Sequence, residues 1–421
     1  MVEARRANAV CRLLAACARA ACEPLHHERI GRAAERLLGL ETAWEAAWEA
    51  VPDLAAAHGM GPLLYTHLRA ARVPVPRSTL RTLRGLYARH RVANRIRLRV
   101  LGDVLAAFEA AGIRVLVLKG AALVHLVYPE PALRPMSDLD LLVARADLAR
   151  AQKTLAQLGF RVGPDDDRQD GSIQPRHRHL VPATRRVDGL AVPVEIHHRL
   201  FSDYFDAVRA WVGCSGARGP AYNDLFNDLY AGRRAIEPWP FEGAAYTLGH
   251  EAMVDHLCRH LRSHVNVWDD ARFIWIADVV SYVECFCAEI DWERVRQQYP
   301  QVLGMLSALH AMAPLSDEPL RCASIAVGPA WGDADVAYRG WPRVRVGEGR
   351  EWGYRRILRE TFAPAEGWLR LRYGLGAGRS LTWYRWVRHP LHLLGQVGRV
   401  VLERAGWPTA LALAGMSDDE L

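Results

Sequence analysis

Two carboxylates stand two residues apart in the stretch Ser137-Asp138-Leu139-Asp140-Leu141-Leu142-Val143. Polar and apolar residues alternate there and then give way to an apolar run, the pattern of a strand entering a core. Residues two apart on a strand share a face, so Asp138 and Asp140 are expected to project together while Leu139 and Leu141 point inward. Carboxylates this close repel each other unless a proton or a cation lies between them. A hard divalent ion such as Mg²⁺ takes oxygen ligands of this kind, with substrate phosphates completing its shell. Further along, Glu195 interrupts the apolar run LAVPVEIH at 190–197. Val194 and Ile196 fall on one face of that run, Glu195 and His197 on the other. With this run beside the aspartate strand, Glu195 becomes a third metal ligand. The plainer alternatives stay open at this point: a solvated turn for the aspartates, an edge-strand charge for Glu195, a structural role for His197.

These side chains need elements to position them. The apolar run 113–118 reads as a buried strand, and it stops at Lys119-Gly120. A short helix is expected over 121–128, after which Pro129, Pro131 and Pro135 impose an open loop. That loop carries Arg134 and Ser137 and delivers the aspartates. Backbone N–H groups after Gly120, at the start of the Ala121 helix, are placed to hold phosphate oxygens. Lys119 and Arg134 add positive charge. The chain's cation usage singles out Lys119, because only Lys119 and Lys153 are lysine among 54 basic residues. A slim ammonium at a strand end suits a place where a planar guanidinium would not fit.

Upstream, helices are expected over 4–22, 29–50 and 60–72, then one long helix over 79–111 closed by Gly112. Leu80, Leu83, Leu86, Val92, Ile96, Leu98, Val100, Leu101, Val104, Leu105 and Phe108 supply its apolar positions. Downstream, a helix over 147–158 ends at Gly159, a short strand follows at 160–162, and 163–178 forms a polar loop. Asp188-Gly189 is a hairpin signal between strands at 179–184 and 190–197. Pro193 predicts a sheet edge or a strand start. His177 and His179 alternate near the polar loop and are better read as solvated than as ligands. Helices follow at 243–263, 270–289 and 291–311; in the second, Arg272 and Asp278 suit a buried ion pair.

The order LKG, YPEPALRPMSDLDLLV, VEIHHRL resembles a little-characterised bacterial nucleotidyltransferase family, a branch of the DNA polymerase β-like superfamily. The resemblance is strong over 100–200 and looser over HGMGPLLYTHL and WDDARFIWIADVV. It implies an α+β fold: a polymerase β-like nucleotidyltransferase core with a small mixed sheet, flanked by helical regions. The corresponding boundaries are 1–95, 96–210 and 211–421. It implies an enzyme that moves a nucleoside monophosphate from a nucleoside triphosphate, ATP by default, to a hydroxyl or similar acceptor on a small molecule or peptide; an RNA-directed transferase and a non-catalytic interaction protein retaining the fold are the alternatives. Asp138, Asp140 and Glu195 would be the catalytic, metal-holding carboxylates of a two-metal Mg²⁺ site. Lys119, Gly120, Ala121, Arg134 and Ser137 would meet the nucleotide. Two features differ from the superfamily pattern: Ala121 stands where Ser or Gly usually follows the glycine, and the spacing from Gly120 to Asp138 is longer. Lys119 or Arg134 would make up the lost phosphate contact.

The net charge of +7 is uneven, with 13 arginines against 4 glutamates between residues 339 and 399. Trp352, Tyr354, Trp368, Tyr373, Trp383, Tyr384 and Trp386 interleave with those arginines. Such a segment can stack bases and neutralise phosphates, lie on an anionic membrane, or pack as a helical layer; the sequence favours the last, so a nucleic-acid partner is the lesser expectation. The eight cysteines include no paired CxxC set, which leaves zinc without support and suits a reducing cytoplasm. Cys285 and Cys287 read as buried thiols. No stretch has the length and apolarity of a membrane span, and Arg12 and Arg19 interrupt any leader-like run.

Overall fold

The computed structural model describes residues 2–39, 44–162, 179–200, 226–265, 272–327, 362, 366–376 and 379–394. It is a mixed helix and sheet structure, and its chain divides into two units. One comprises Met1–His58, His67–Thr79 and Leu257–Leu421; the other comprises Gly59–Thr66 and Leu80–His256. The candidate site lies in the second.

That unit is built on a five-stranded sheet: β1 (Val115–Val117), β2 (Leu139–Val143), β3 (Arg161–Val162), β4 (Ala183–Val187) and β5 (Leu190–His197). Their spatial order is β1-β2-β5-β4-β3. β1 runs antiparallel to β2, whereas β2 and β5 are parallel. A parallel pair needs a crossover, and the helix Leu148–Gln157 lies within that connection. β4 and β5 form a hairpin over Asp188 and Gly189, both at positive φ, 49° and 79°, the backbone that Asp-Gly adopts readily. Every residue of β2 is buried, and Val192, Val194 and Ile196 of β5 share the core with Leu116 and Val117 of β1.

The long helix spans Arg77–Ala110. Gly112, at φ 66°, ends it, and Ile113 N–H returns to Phe108 O at 2.8 Å. Its buried stripe differs from the expected one. Val92 is 59% exposed, while Asn94 and Arg97 are buried in line with Leu98, Leu101 and Leu105. Two further short strands, β6 (Arg234–Ala235) and β7 (Tyr246–Thr247), pair antiparallel. Thr247 Oγ1 donates to Val117 O at 2.6 Å and ties this ladder to β1. The helix expected from residue 243 therefore starts later, as His250–Ser263.

Pro193 lies neither at the edge of the sheet nor at a strand start. β5 is an interior strand, but β2 reaches it only from Val194 onward, so at Pro193 just one flank is paired. The sheet tolerates the missing N–H for that reason.

In the other unit, the expected 29–50 helix is two pieces, Pro24–Leu38 and Trp44–Trp48, and Gly39 follows the first. Pro300 divides 291–311 into Trp292–Gln298 and Gln301–Met312. Arg19 is buried and donates to His26 Nε2 at 2.7 Å, Glu284 Oε1 at 2.9 Å and Pro314 O at 2.7 Å. Ala20 N–H donates to Ser281 Oγ at 2.7 Å. This polar interior joins the N-terminal helices to the helix Phe273–Phe286. Asp278 of that helix is buried, and Arg272 stacks over Trp275, 5.4 Å from its centroid. Cys287 is buried, but Cys285 is exposed, contrary to expectation; all seven described cysteines are free thiols.

Of the basic aromatic region, residues 382–394 are helical with a π turn at Tyr384–Arg388. Trp383, Trp386, Leu391 and Leu394 are exposed there while Leu393 is buried. The loop 163–178 with His177, Cys214, the 328–350 stretch, Trp352, Tyr354 and the acidic tail lie outside the described residues. Among the described residues, no helix is long and apolar enough to cross a membrane.

Candidate functional site

The parallel register of β2 and β5 sets Asp140 directly beside Glu195, and Leu142 beside His197. The period-two rule then puts Asp140, Glu195 and His197 on one face, and their ligand-capable atoms all lie within 4.8 Å of one another. Asp138 lies just before β2 and is half-buried. Asp140 is buried, whereas the Glu195 side chain keeps 21% exposure. The cluster thus opens toward solvent on the Glu195 side.

One oxygen concentrates the contacts. Asp140 Oδ1 accepts from Lys119 Nζ at 2.9 Å and from His197 Nε2 at 2.7 Å. His197 Nε2 is also 3.6 Å from Glu195 Oε2. Burial works against ionising Asp140, but Lys119 and His197 outweigh it and hold the carboxyl well below the usual carboxylate range. Burial likewise opposes the charge on Glu195, yet contact with His197 brings it below its ordinary value. Asp138 goes the other way, pushed up by burial and then by Asp140. Neighbouring carboxylates whose environments separate them in this way can divide labour between binding a cation and handling a proton.

Lys119 reaches Asp140 from an unusual backbone. It sits where β1 gives way to the helix Lys119–Leu126, at φ 47°. A side-chain-bearing residue in that region costs roughly 1–2 kcal/mol. Leu118 N–H still donates to Asp140 O at 2.9 Å, so the sharp turn at Lys119 lets strand pairing end and the helix begin within one residue. Gly120 is required by close approach. A Cβ there would fall 2.6 Å from Arg134 Nη1 and 3.2 Å from Met136 Cγ. The Ala121 side chain is buried, so what it can offer a ligand is backbone.

The proline loop is pinned rather than open. Pro131–Leu133 forms a 3₁₀ turn, and Asn94 Nδ2 of the long helix donates to Pro131 O at 2.6 Å and Arg134 O at 2.8 Å. Tyr87 OH donates to Glu130 at 2.7 Å. The Arg134 side chain is buried over Gly120, with Nη1 on Pro135 O at 2.7 Å. Ser137 is exposed beside Asp138.

The structure therefore brings together Lys119, Gly120, Arg134, Asp138, Asp140 and Glu195. His197, which the sequence favours as structural over a supporting or acceptor-site role, bonds directly to Asp140. His179 bridges to His197 across the sheet, with ring centroids 5.2 Å apart. Asn94 and Arg97 escaped sequence reasoning; their signal was two polar residues at 3–4 spacing on an apolar helical stripe. Two carboxylate oxygens and an imidazole nitrogen at this separation, with a third carboxylate adjacent, suit a divalent cation that accepts oxygen and nitrogen ligands.

A family model described as an uncharacterised nucleotidyltransferase matches residues 45–320, a span that contains every residue of this site. No curated protein and no solved structure matches the chain.

Proposed function

The chain belongs to this uncharacterised nucleotidyltransferase family, and on that premise we propose a Mg²⁺-dependent enzyme with a polymerase β-like core. It moves a nucleoside monophosphate from a nucleoside triphosphate, ATP by default, to a hydroxyl on a small molecule or peptide. The observation that carries this reading is the cross-strand pairing of Asp140 with Glu195, with Asp138 one residue ahead of the strand. Asp138, Asp140 and Glu195 would hold the cations, with His197 against the last two. When bound, such cations neutralise charge on the phosphates and on the departing pyrophosphate.

The chain's own residues divide the remaining work. Glu195, the more exposed carboxylate, orients the acceptor hydroxyl and takes its proton at Oε2. The acceptor oxygen bonds to the α-phosphorus, the bond from that phosphorus to its bridging oxygen breaks, and pyrophosphate leaves with the bridging oxygen. Lys119 Nζ, already 2.9 Å from Asp140 Oδ1, offers positive charge beside the phosphates. The first-turn N–H groups after Gly120 accommodate phosphate oxygens.

The test is a screen of the four nucleoside triphosphates with Mg²⁺, followed by mass spectrometry of cell extract for added nucleotide mass. Pyrophosphate release that vanishes in Asp140→Asn supports the reading; full turnover in that variant refutes it. A second reading, an RNA acceptor, draws on exposed Trp383 and Trp386 near Arg385 and Arg388. It requires RNA binding that weakens steeply with salt, and the absence of a gel shift at low salt removes it.

A further inference from the structure

Arg97 is 8% exposed. Its Nε and Nη1 are buried and have no hydrogen-bond partner among the described residues. Buried guanidinium donors left unpaired are costly, and on this helix the position belongs to a stripe that is apolar apart from Asn94. The carboxylate that acts on Arg97 is Asp138, and Asp138 in turn feels Lys119 and Arg134. Three cations therefore act on the half-buried Asp138, alongside the carboxylates of Asp140 and Glu195. Arg97 is also held in register with the others. One turn earlier, Asn94 grips the carbonyl of Arg134 at 2.8 Å, and the missing side chain of Gly120 seats the Arg134 guanidinium.

We propose that Arg97 binds the β- and γ-phosphates of the nucleotide and retains the leaving pyrophosphate, its free Nε and Nη1 donating to phosphate oxygens. A planar guanidinium offers parallel donors that match two oxygens of one phosphate. Anionic oxygens satisfy the donors that the protein leaves unpaired. The inference rests on the nucleotidyltransferase reading and adds the residue that the proline loop and Gly120 do not supply.

The experiment is calorimetric titration of the full chain with inorganic pyrophosphate in Mg²⁺, alongside a nucleoside monophosphate, for wild type, Arg97→Met and Arg97→Lys. Arg97→Met is expected to weaken pyrophosphate binding about 30-fold and to change monophosphate binding less than about 3-fold, with Arg97→Lys recovering part of the loss. Pyrophosphate affinity unchanged in a folded Arg97→Met, or in Arg97→Lys if the methionine variant does not fold, overturns the inference and leaves Arg97 as a structural counter-ion to Asp138. Equal losses for pyrophosphate and monophosphate overturn it too. Wild type that binds neither pyrophosphate nor any nucleoside triphosphate overturns the nucleotidyltransferase reading itself.

Discussion

Asp140 and Glu195 occupy facing positions on adjacent parallel strands, and His197 Nε2 lies between their carboxylates, 2.7 Å from one and 3.6 Å from the other. Asp140→Asn keeps the shape and removes the charge that Lys119 and His197 share. Pyrophosphate release should fall by about a thousandfold or more, as for loss of a group that stabilises developing charge. Chemical denaturation without added metal should show a loss of about 3 kcal/mol, because the Lys119 ammonium is left partly buried without its partner. Glu195→Gln should lose comparable activity with a smaller stability cost, since its side chain is more exposed.

Asp138→Asn should separate stability from activity. The Asp138 carboxyl is held above its ordinary value, so its favourable contribution is complete only below the unfolded value near 3.8 and is lost as pH rises through the folded value. At neutral pH the ionised group costs stability. The asparagine variant should therefore be more stable at pH 7 and should lose the advantage in acid. Asp140 and Glu195, both depressed, have the opposite sign: their contribution is present above the ordinary carboxylate range and disappears as pH falls through their folded values. Denaturation midpoints of Asp138→Asn and Asp140→Asn against pH distinguish these slopes.

Gly120→Ala should disturb nucleotide binding without unfolding the chain. The added methyl would meet Arg134 Nη1 at 2.6 Å, and the guanidinium can yield by turning away. The Michaelis constant for the nucleotide should rise about tenfold, with a change in melting temperature of a few degrees at most. An unaltered constant would show that Arg134 does not meet the substrate.

Acid should loosen the unit that contains the chain's N-terminal helices before it reaches the carboxylates. Burial and then the Arg19 charge lower His26 to about 4, and the same causes lower buried His67 to about 3. In the unfolded chain both bind protons near pH 6.5, so stability is full above that pH and declines as pH falls toward the folded values. Replacing His67 by Gln should flatten this decline, and tryptophan fluorescence against pH measures it.

Much of the site was legible because it depends on local rules. Strand periodicity put Asp138 and Asp140 together, and Glu195 with His197; the glycine and prolines marked where the chain had to turn. Sequence could not supply the register of β2 against β5, which depends on pairings distant along the chain. It misjudged the long helix near Asn94 and Arg97 because an apolar template assigns polar residues outward, and here both are buried, Asn94 against the carbonyls of the proline loop. Pro193 was misleading for a related reason: the rule concerns pairing on both flanks, and β2 stops short of it on one.

Lys119 touches Asp140 in a chain where lysine occurs at one other position, the exposed Lys153. An amine-reactive reagent therefore finds a nearly single-site reporter at the heart of the molecule, with Lys153 as its internal standard. Acylation of the Lys119 amine should be slow while it is masked and should change when magnesium triphosphate enters, so modification mapping would follow occupancy without any need to know the acceptor.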